Sequence, residues 1–324
     1  MPDLSIIIST WNCLSHIRKC LDSILSLNLP NVETIIVDSN STDGSKEYLV
    51  ALSHSPEASK LGLKLVLSDR RIKWTEANEI GLEHSAGDWI CLSNPDIIFN
   101  ESFLRMFDSC LKSDLLVVAP QLVSRDESPQ GPMRLVTPLV FLLNNTRTGS
   151  LIRKIVGTEW QSYSVHYEWN GEDPVQVDNP VGSFFMVHRS VLERFHGRLW
   201  HRGYLNGVSD LDAFLNFKKH GIPVKLFPSC RIVHYGSYVT KKDASWIEYD
   251  QAYGIVLYFR YWKMAPRISS LLLGIEGVLS VPLEISLKTI RPRQTFFNPK
   301  LSAWKAGQRL VGLLDGWRFP IGSE

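Results

Sequence analysis

Four short runs in the first hundred residues, Leu4–Ser9, Glu33–Asp38, Lys64–Leu67 and Asp88–Ser93, are rich in apolar residues, and each gives way to a polar elbow. Between them lie stretches with a helical period: Ser15–Leu27, with its apolar stripe at 14, 17, 21, 24, 25 and 27, then 44–54 and 75–85. Near-continuous apolar runs are strands buried on both faces, and connections of this length make right-handed crossovers between parallel strands. The chain is therefore expected to open as an α/β unit, a doubly wound and mostly parallel sheet flanked by helices. Sheets of this kind hold ligands in the crevice beyond the carboxyl ends of their strands.

The fourth run shows how such an elbow is built. Gly87-Asp88-Trp89-Ile90-Cys91-Leu92-Ser93 leads into Asn94-Pro95-Asp96. Pro95 stops the ladder because it has no N–H, and Asp96 is left at the strand mouth with hard oxygen ligands suited to Mg2+ or Mn2+. Ser9, Thr10 and Asn12 follow the first run, Asp38, Asn40 and Asp43 the second, Arg70 and Arg71 the third. Each alone reads as a cap or turn residue, Asp43 above all, since Ser41-Thr42-Asp43-Gly44 opens a helix. Four strands ending alike mark a ligand crevice.

No G-x-G-x-x-G and no G-x-x-x-x-G-K-[ST] occurs, so neither a dinucleotide fingerprint nor a P-loop is present. A nucleotide is still accommodated, with its base near Asp38, its diphosphate neutralised by a metal on Asp96 and arginine at hand for a phosphate or base edge. No serine sits in a nucleophile elbow and no histidine pair has zinc spacing, which leaves acid–base work to carboxylates or a lone histidine. Ser209-Asp210-Leu211-Asp212 opens a helix; its carboxylates either cap that helix or supply a general base. His234, before Tyr235-Gly236, reads as a further metal ligand or as a structural histidine.

After Ala119 the alternation breaks down. Residues 121–175, with Trp160, Tyr163, Tyr167 and Trp169, read as a long loop region on the acceptor side. A strand returns at Gly182–His188, a helix follows from Ser190, Asp210–His220 forms a helix, and Pro223–Phe227 and Arg231–His234 form short strands. Five cysteines (13, 20, 91, 110, 230) without a C-x-x-C pair read as buried reduced thiols, which with the absence of a leader places the chain in the cytosol.

The net charge of +2 is uneven: from Phe259 onward ten Lys/Arg face four acids. The apolar stretch 268–290 contains Glu276, Pro282 and Glu284, which argues against a spanning helix. Basic residues flank it at 260, 263, 267, 288, 291 and 293. It therefore reads either as an amphipathic helix on an anionic membrane surface or as a helix packed on the core. Basic residues gathered in an apolar tail, not in a groove-shaped domain, argue against a nucleic-acid binder.

The runs Leu4–Asn12 and Val37–Ser45, Ala77-Asn78 followed by Gly81, Ala86-Gly87-Asp88 leading to Ser93-Asn94-Pro95-Asp96, and Val181–Met186 follow one another in an order and spacing that resemble the glycosyltransferase family 2 proteins, in particular the bacterial rhamnosyltransferase-like branch. The resemblance spans about 1–235. It implies a GT-A fold, with a Rossmann-like central sheet and a C-terminal helical extension. Residues 1–98 would be the nucleotide-sugar half, 99–235 the acceptor half, and 236–324 an amphipathic helical extension. By position, Ser9, Thr10, Trp11, Asp38, Asn40, Arg71, Asn78, Asn94 and Gly182 would bind the nucleotide sugar. Asn94-Pro95-Asp96 takes the place of the family's D-x-D element, with Asp96 as ligand to Mg2+ or Mn2+ and His234 as a further metal or diphosphate ligand. Asp210 falls where the family carries its catalytic base; Ser209 replaces the usual Glu and the segment 195–210 is longer than usual, so Asp212 is the substitute.

The implied activity is inverting transfer from a nucleotide-diphosphate sugar, dTDP-rhamnose or a UDP-sugar, to a hydroxyl of a growing, lipid-linked cell-surface glycan. That places the protein in the cytoplasm, peripheral to the inner membrane face. Two rivals remain at this point. A sugar-nucleotide pyrophosphorylase calls for a Gly-rich basic loop where the chain reads Ser9-Thr10-Trp11-Asn12-Cys13. An inactive glycan- or lipid-binding relative is kept open by the residues at 94 and 209.

Overall fold

The computed structural model describes residues 1–145, 171–236, 247–264, 266–267 and 299–321. The aromatic segment around 160–169 and the apolar stretch 268–290 lie outside the described residues. The strands are β1 (Leu4–Thr10), β2 (Val32–Asp38), β3 (Leu63–Leu67), β4 (Trp89–Ser93), β5 (Ile97–Ile98), β6 (Val117–Val123), β7 (Pro129–Gln130), β8 (Val175–Val177), β9 (Phe184–His188) and β10 (Val224–His234). The helices are α1 (Leu14–Ser26), α2 (Ser45–Ser53), α3 (Pro56–Leu61), α4 (Trp74–His84), α5 (Glu101–Leu111), α6 (Pro138–Asn145), α7 (Arg189–Arg194), α8 (Ser209–Lys219), α9 (Ile247–Tyr261) and α10 (Pro299–Arg318).

All ten strands join one sheet in the order β3-β2-β1-β4-β9-β6-β10-β5, with β7 pairing β6 and β8 pairing β10. The expected parallel half is there: β1 pairs in parallel with β2 and β4, and β2 with β3. All seven residues of β1 are buried, Ser5, Ser9 and Thr10 together with the four apolar ones, as in a strand covered on both faces. In register, Thr10 lies opposite Asp38, Asp38 opposite Leu67 and Ile8 opposite Ser93, so four elbows emerge along one edge of the sheet. Beyond β4 the sheet becomes mixed, because β9 runs antiparallel to both β4 and β6. The two short strands expected at 223–234 are a single strand, β10, whose register slips between Phe227 and Arg231. Pro228 sits in that slip and has no N–H to give the ladder.

Local residue choices hold this half together. A Cβ on Gly81 would come within 2.2 Å of Ile7 Cγ2, so the glycine lets α4 lie directly on β1. Glu33 is buried beside Lys64, and it accepts hydrogen bonds from Ser5 Oγ and the Ala86 N–H, each 2.5 Å. All five cysteines are buried and unpaired, and burial pushes Cys13 up to about 11 and Cys110 and Cys230 up to about 12.

The chain divides into two compact units. The first comprises residues 1–133, 164–200 and 213–242 and contains the sheet; the second comprises 134–163, 201–212 and 243–324. In the second, α9 and α10 pack closely because two glycines one turn apart on α10 remove the side chains between them. A Cβ on Gly312 would stand 2.5 Å from Tyr249 O, and one on Gly316 2.8 Å from Tyr253 O. Tyr249 Oη donates to Asp315 Oδ2 at 3.0 Å, and the Arg260 guanidinium caps the end of α10 on the carbonyls of Gly316 and Phe319.

Candidate active site

The elbows of the first unit are stitched by their own polar side chains. Asp38 is wholly buried, its Oδ2 accepting the Ser41 N–H at 2.9 Å and its Oδ1 the Ser41 hydroxyl at 2.6 Å. Asn12, at φ 49°, accepts the Thr42 N–H, and Asn40, at φ 53°, donates to Asp69 O at 3.2 Å. Asp43 accepts the N–H of Leu14 at the head of α1 and that of Ser45 at the head of α2, the helix-opening role its sequence context implies. Ser39 Oγ both donates to Ile72 O and accepts the Ile72 N–H, at 2.7 Å each way, fixing the loop that carries Arg71. The Arg71 guanidinium lies 3.6 Å from the centre of the Trp11 ring, a cation–π pair. Asn78 is fully buried; its Nδ2 donates to Trp74 O at 2.8 Å and to Ser9 Oγ at 3.3 Å, while its Oδ1 has no hydrogen-bond partner. Thr10, the neighbour of Ser9 in β1, contacts Cys13 Sγ at 2.9 Å.

At the β4 elbow, Asp96 and His234 meet, with Asp96 Oδ1 3.4 Å from His234 Nε2 and both residues buried. The network fixes the histidine tautomer. Gln130 Nε2 donates to His234 O at 2.9 Å, so Gln130 Oε1 is the atom facing His234 Nδ1 at 2.6 Å, and Nδ1 must carry the proton. Nε2, on the other side of the ring, faces a carboxylate oxygen, a geometry that suits a proton or a metal cation between the two. A carboxylate and an imidazole oriented by a partner on its far nitrogen form a donor set that suits Mn2+ or Mg2+. Among the described residues no three His, Cys, Asp or Glu side chains gather into a metal site, so such an ion would complete its shell from ligand oxygens and water. Beside this pair, the Tyr235 ring carries Arg125 at 4.2 Å and Lys19 at 5.5 Å and meets His16 edge-on.

Asn94 Oδ1 accepts the Trp74 indole N–H at 3.1 Å, and the Asn94 N–H donates to Ser183 O at 2.9 Å. Gly182, buried, precedes Ser183 and follows Val181, whose φ of 109° is strained for a β-branched residue. Trp74 packs at 5.9 Å on Trp200, and Trp200 Nε1 and Arg198 Nη1 both donate to Glu79 Oε1. Burial raises the Glu79 carboxyl, against the pull of Arg198.

Asp210 and Asp212 belong to the second unit, the other expected site residues to the first. Asp210 is half-buried in the first turn of α8. Asp212 is wholly buried and fully engaged: it accepts the His201 N–H at 2.7 Å, His201 Nδ1 at 2.9 Å and Trp262 Nε1 at 2.6 Å. The His201 ring is stacked on Tyr261 at 4.3 Å and meets Trp262 edge-on. Tyr204 and Tyr258 are buried as well, and burial, then the charge of Asp212, push both phenols well up. Sequence reasoning missed His201, Trp74 and this tyrosine group, since their partners stand far along the chain or on another element.

The mixed sheet with its flanking helices is also the fold of solved glycosyltransferases. A mannosyltransferase from Pyrobaculum calidifontis in complex with GDP-Man and Mn2+ superposes with a TM-score of 0.52 at 15% identity, covering 98% of this chain and 87% of that one. GalNAc-T7 with UDP, GalNAc and Mn2+ gives 0.53 at 17% identity, over 71% of this chain and 43% of that one. The fold is therefore GT-A. Residues 5–195 match the model of glycosyl transferase family 2, and the chain belongs to that family. Curated relatives include the amylovoran biosynthesis glycosyltransferase AmsB of Erwinia amylovora, 31% identical over 98 residues, which are 30% of this chain and 32% of that protein. The glycosyltransferase GlyG of Streptococcus pneumoniae is 21% identical over 159 residues, 49% of this chain and 51% of that protein. The chain thus spans between about a third and a half of the length of these relatives.

Proposed function

We propose that this protein is an inverting glycosyltransferase that uses a nucleotide-diphosphate sugar, dTDP-rhamnose or a UDP-sugar, and a hydroxyl of a growing glycan. The observation that carries the reading is the Asp96–His234 pair, two lone-pair donors held face to face at the mouth of β4 and oriented from behind by Gln130. Two residues before Asp96, Asn94 stands in the first position of a D-x-D element. In this reading Trp11 with Arg71, Ser9 and Thr10, Asn40, Asn78 and the Asp38 elbow line the nucleotide, and Gly182 keeps the approach to Asn94 clear. Asp96 and His234 would hold a divalent cation, which when bound supplies Lewis-acid stabilisation of charge on the departing diphosphate.

Asp210 takes the proton from the acceptor hydroxyl as that oxygen attacks the anomeric carbon from the face opposite the leaving group. A single displacement inverts the configuration. Of the two carboxylates in the segment, Asp210 is taken as the base for its position and its partial exposure, Asp212 being wholly buried on His201 and Trp262. The catalytic residues are assigned to 1–235, with 236–324 as an extension whose basic residues face a lipid-linked acceptor on an anionic inner membrane surface. No helix among the described residues is long and apolar enough to cross a membrane.

The test is release of nucleoside diphosphate from dTDP-rhamnose, UDP-sugars and GDP-mannose with Mn2+, in wild type and Asp210→Asn. Turnover with one donor, lost by about a hundredfold or more in the variant, is expected for a missing general base. Binding without Asp210-dependent turnover for any donor would make the protein an inactive relative.

A further inference from the structure

We propose that Trp74 and Asn94 together read the transferred sugar: the partly exposed Trp74 indole supplies an apolar wall, and the Asn94 amide acts as a hydrogen-bond donor to a sugar oxygen, not as a metal ligand. This rests on the nucleotide-sugar reading above and deepens it. The orientation of Asn94 follows from elementary hydrogen-bond chemistry. An indole N–H can only donate, so the atom of Asn94 that meets Trp74 Nε1 at 3.1 Å is the oxygen. The Asn94 backbone is fixed as well, its N–H given to Ser183 O, and Pro95 follows directly. With the oxygen turned to the indole, the Nδ2 amino group is the end of the amide that faces away from Trp74; it can donate twice and cannot coordinate a cation.

Trp74 is equally constrained. Its ring rests on Trp200, itself only 3% exposed, and Trp200 Nε1 is anchored on Glu79, which Arg198 also holds. Asn78 Nδ2 pins the Trp74 carbonyl at 2.8 Å. The indole is thus a rigid surface braced from behind, at the head of α4 and in contact with a residue two positions from Asp96. A hexosyl group has C–H faces that pack on aromatic carbon and hydroxyl oxygens that accept N–H donors, and this pair offers one of each. The group carried by a diphosphate at Asp96 is that sugar.

Equilibrium binding separates the sugar from the rest of the donor. The dissociation constants of UDP, GDP and dTDP are compared with those of UDP-GalNAc, GDP-mannose and dTDP-rhamnose, all with Mn2+, for wild type, Asn94→Asp and Trp74→Phe. Asn94→Asp keeps an acceptor for the indole but replaces the donor with an anionic oxygen. The preferred nucleotide sugar should weaken by about tenfold, the effect of one lost hydrogen bond, while the matching diphosphate binds at least as tightly as in wild type. Trp74→Phe keeps the wall and releases the amide to rotate, and should narrow the sugar-over-diphosphate preference with little effect on the diphosphate. Equal loss for diphosphate and nucleotide sugar in Asn94→Asp would overturn the proposal and make Asn94 a diphosphate or metal contact. An unchanged ratio in both variants would overturn it too. If wild type binds no nucleotide at all, the underlying donor reading falls first, and this inference with it.

Discussion

Replacing Asp212 with Asn separates stability from chemistry in the D-x-D-like turn of α8. The carboxylate is wholly buried, with Oδ1 on the Trp262 indole and Oδ2 on the His201 N–H, and with His201 Nδ1 within 3.1 Å of both oxygens. An amide has one oxygen. Whichever way Asn turns, its NH2 faces a donor, either Trp262 or the His201 backbone, and that donor is left buried and unsatisfied. One unsatisfied donor costs about 1–3 kcal/mol, and the hydrogen bonds that remain lose their charge assistance. A loss of about 3 kcal/mol is expected in urea unfolding followed by far-ultraviolet circular dichroism. Asp210→Asn, at a half-buried position, should unfold within about 0.5 kcal/mol of wild type yet lose turnover. Wild-type stability for Asp212→Asn, together with abolished turnover, would refute the reasoning and transfer the base role from Asp210 to Asp212.

Two further outcomes follow from packing and charge. Burial alone would raise the Glu33 carboxyl, but hydrogen bonds from Lys64, Ser5 and the Ala86 N–H outweigh it and hold the group below its ordinary 4.5. Its folded pKa is lowered, so its stabilisation is present above 4.5 and is lost as pH falls through the lower folded value; Glu33→Gln should flatten that part of an acid-unfolding curve, and an unchanged acid limb would count against it. Gly312→Ala places a methyl 2.5 Å from Tyr249 O and should destabilise the α9–α10 pair by about 1–3 kcal/mol despite the better helix propensity of Ala. Gly307→Ala on the same helix, where nothing lies within 4 Å, should instead gain up to about 1 kcal/mol, and equal effects of the two changes in thermal melts would refute the close-packing account.

The N-terminal half was legible because its signals are local. β1 to β4 and the helices α1, α2 and α4 announce themselves within a dozen residues by period and by an elbow, whereas the six residues of α3 are too few to show a period, and Asp43 at the start of α2 follows from its neighbours alone. The antiparallel insertion of β9 between β4 and β6 was not legible, since Gly182–His188 reads as a strand without naming its partners. β10 read as two strands because Pro228 and its surroundings interrupt the apolar pattern where the ladder merely slips register. The same limit governs the site. Asp96 and His234 were each readable as ligand types, but Gln130, which fixes the tautomer, stands 104 residues from His234. His201 carried no signal at all: only the fold brings it to Asp212.

Asn in place of an acid at 94 invites the reading that the site has lost its function. The surroundings favour a different account. A tryptophan at 74 requires an acceptor opposite its N–H, and Asp or Asn would serve equally in that respect. The choice between them decides what faces away from the indole. An aspartate would set a second anionic oxygen two residues from Asp96, a like charge beside that carboxylate. An asparagine offers two N–H donors there instead. The surrounding groups are all engaged: Trp74 rests on Trp200, Trp200 and Arg198 hold Glu79, and Gln130 holds His234. With that brace in place, the role proposed for residue 94 is to donate to a neutral, hydroxylated group rather than to hold charge.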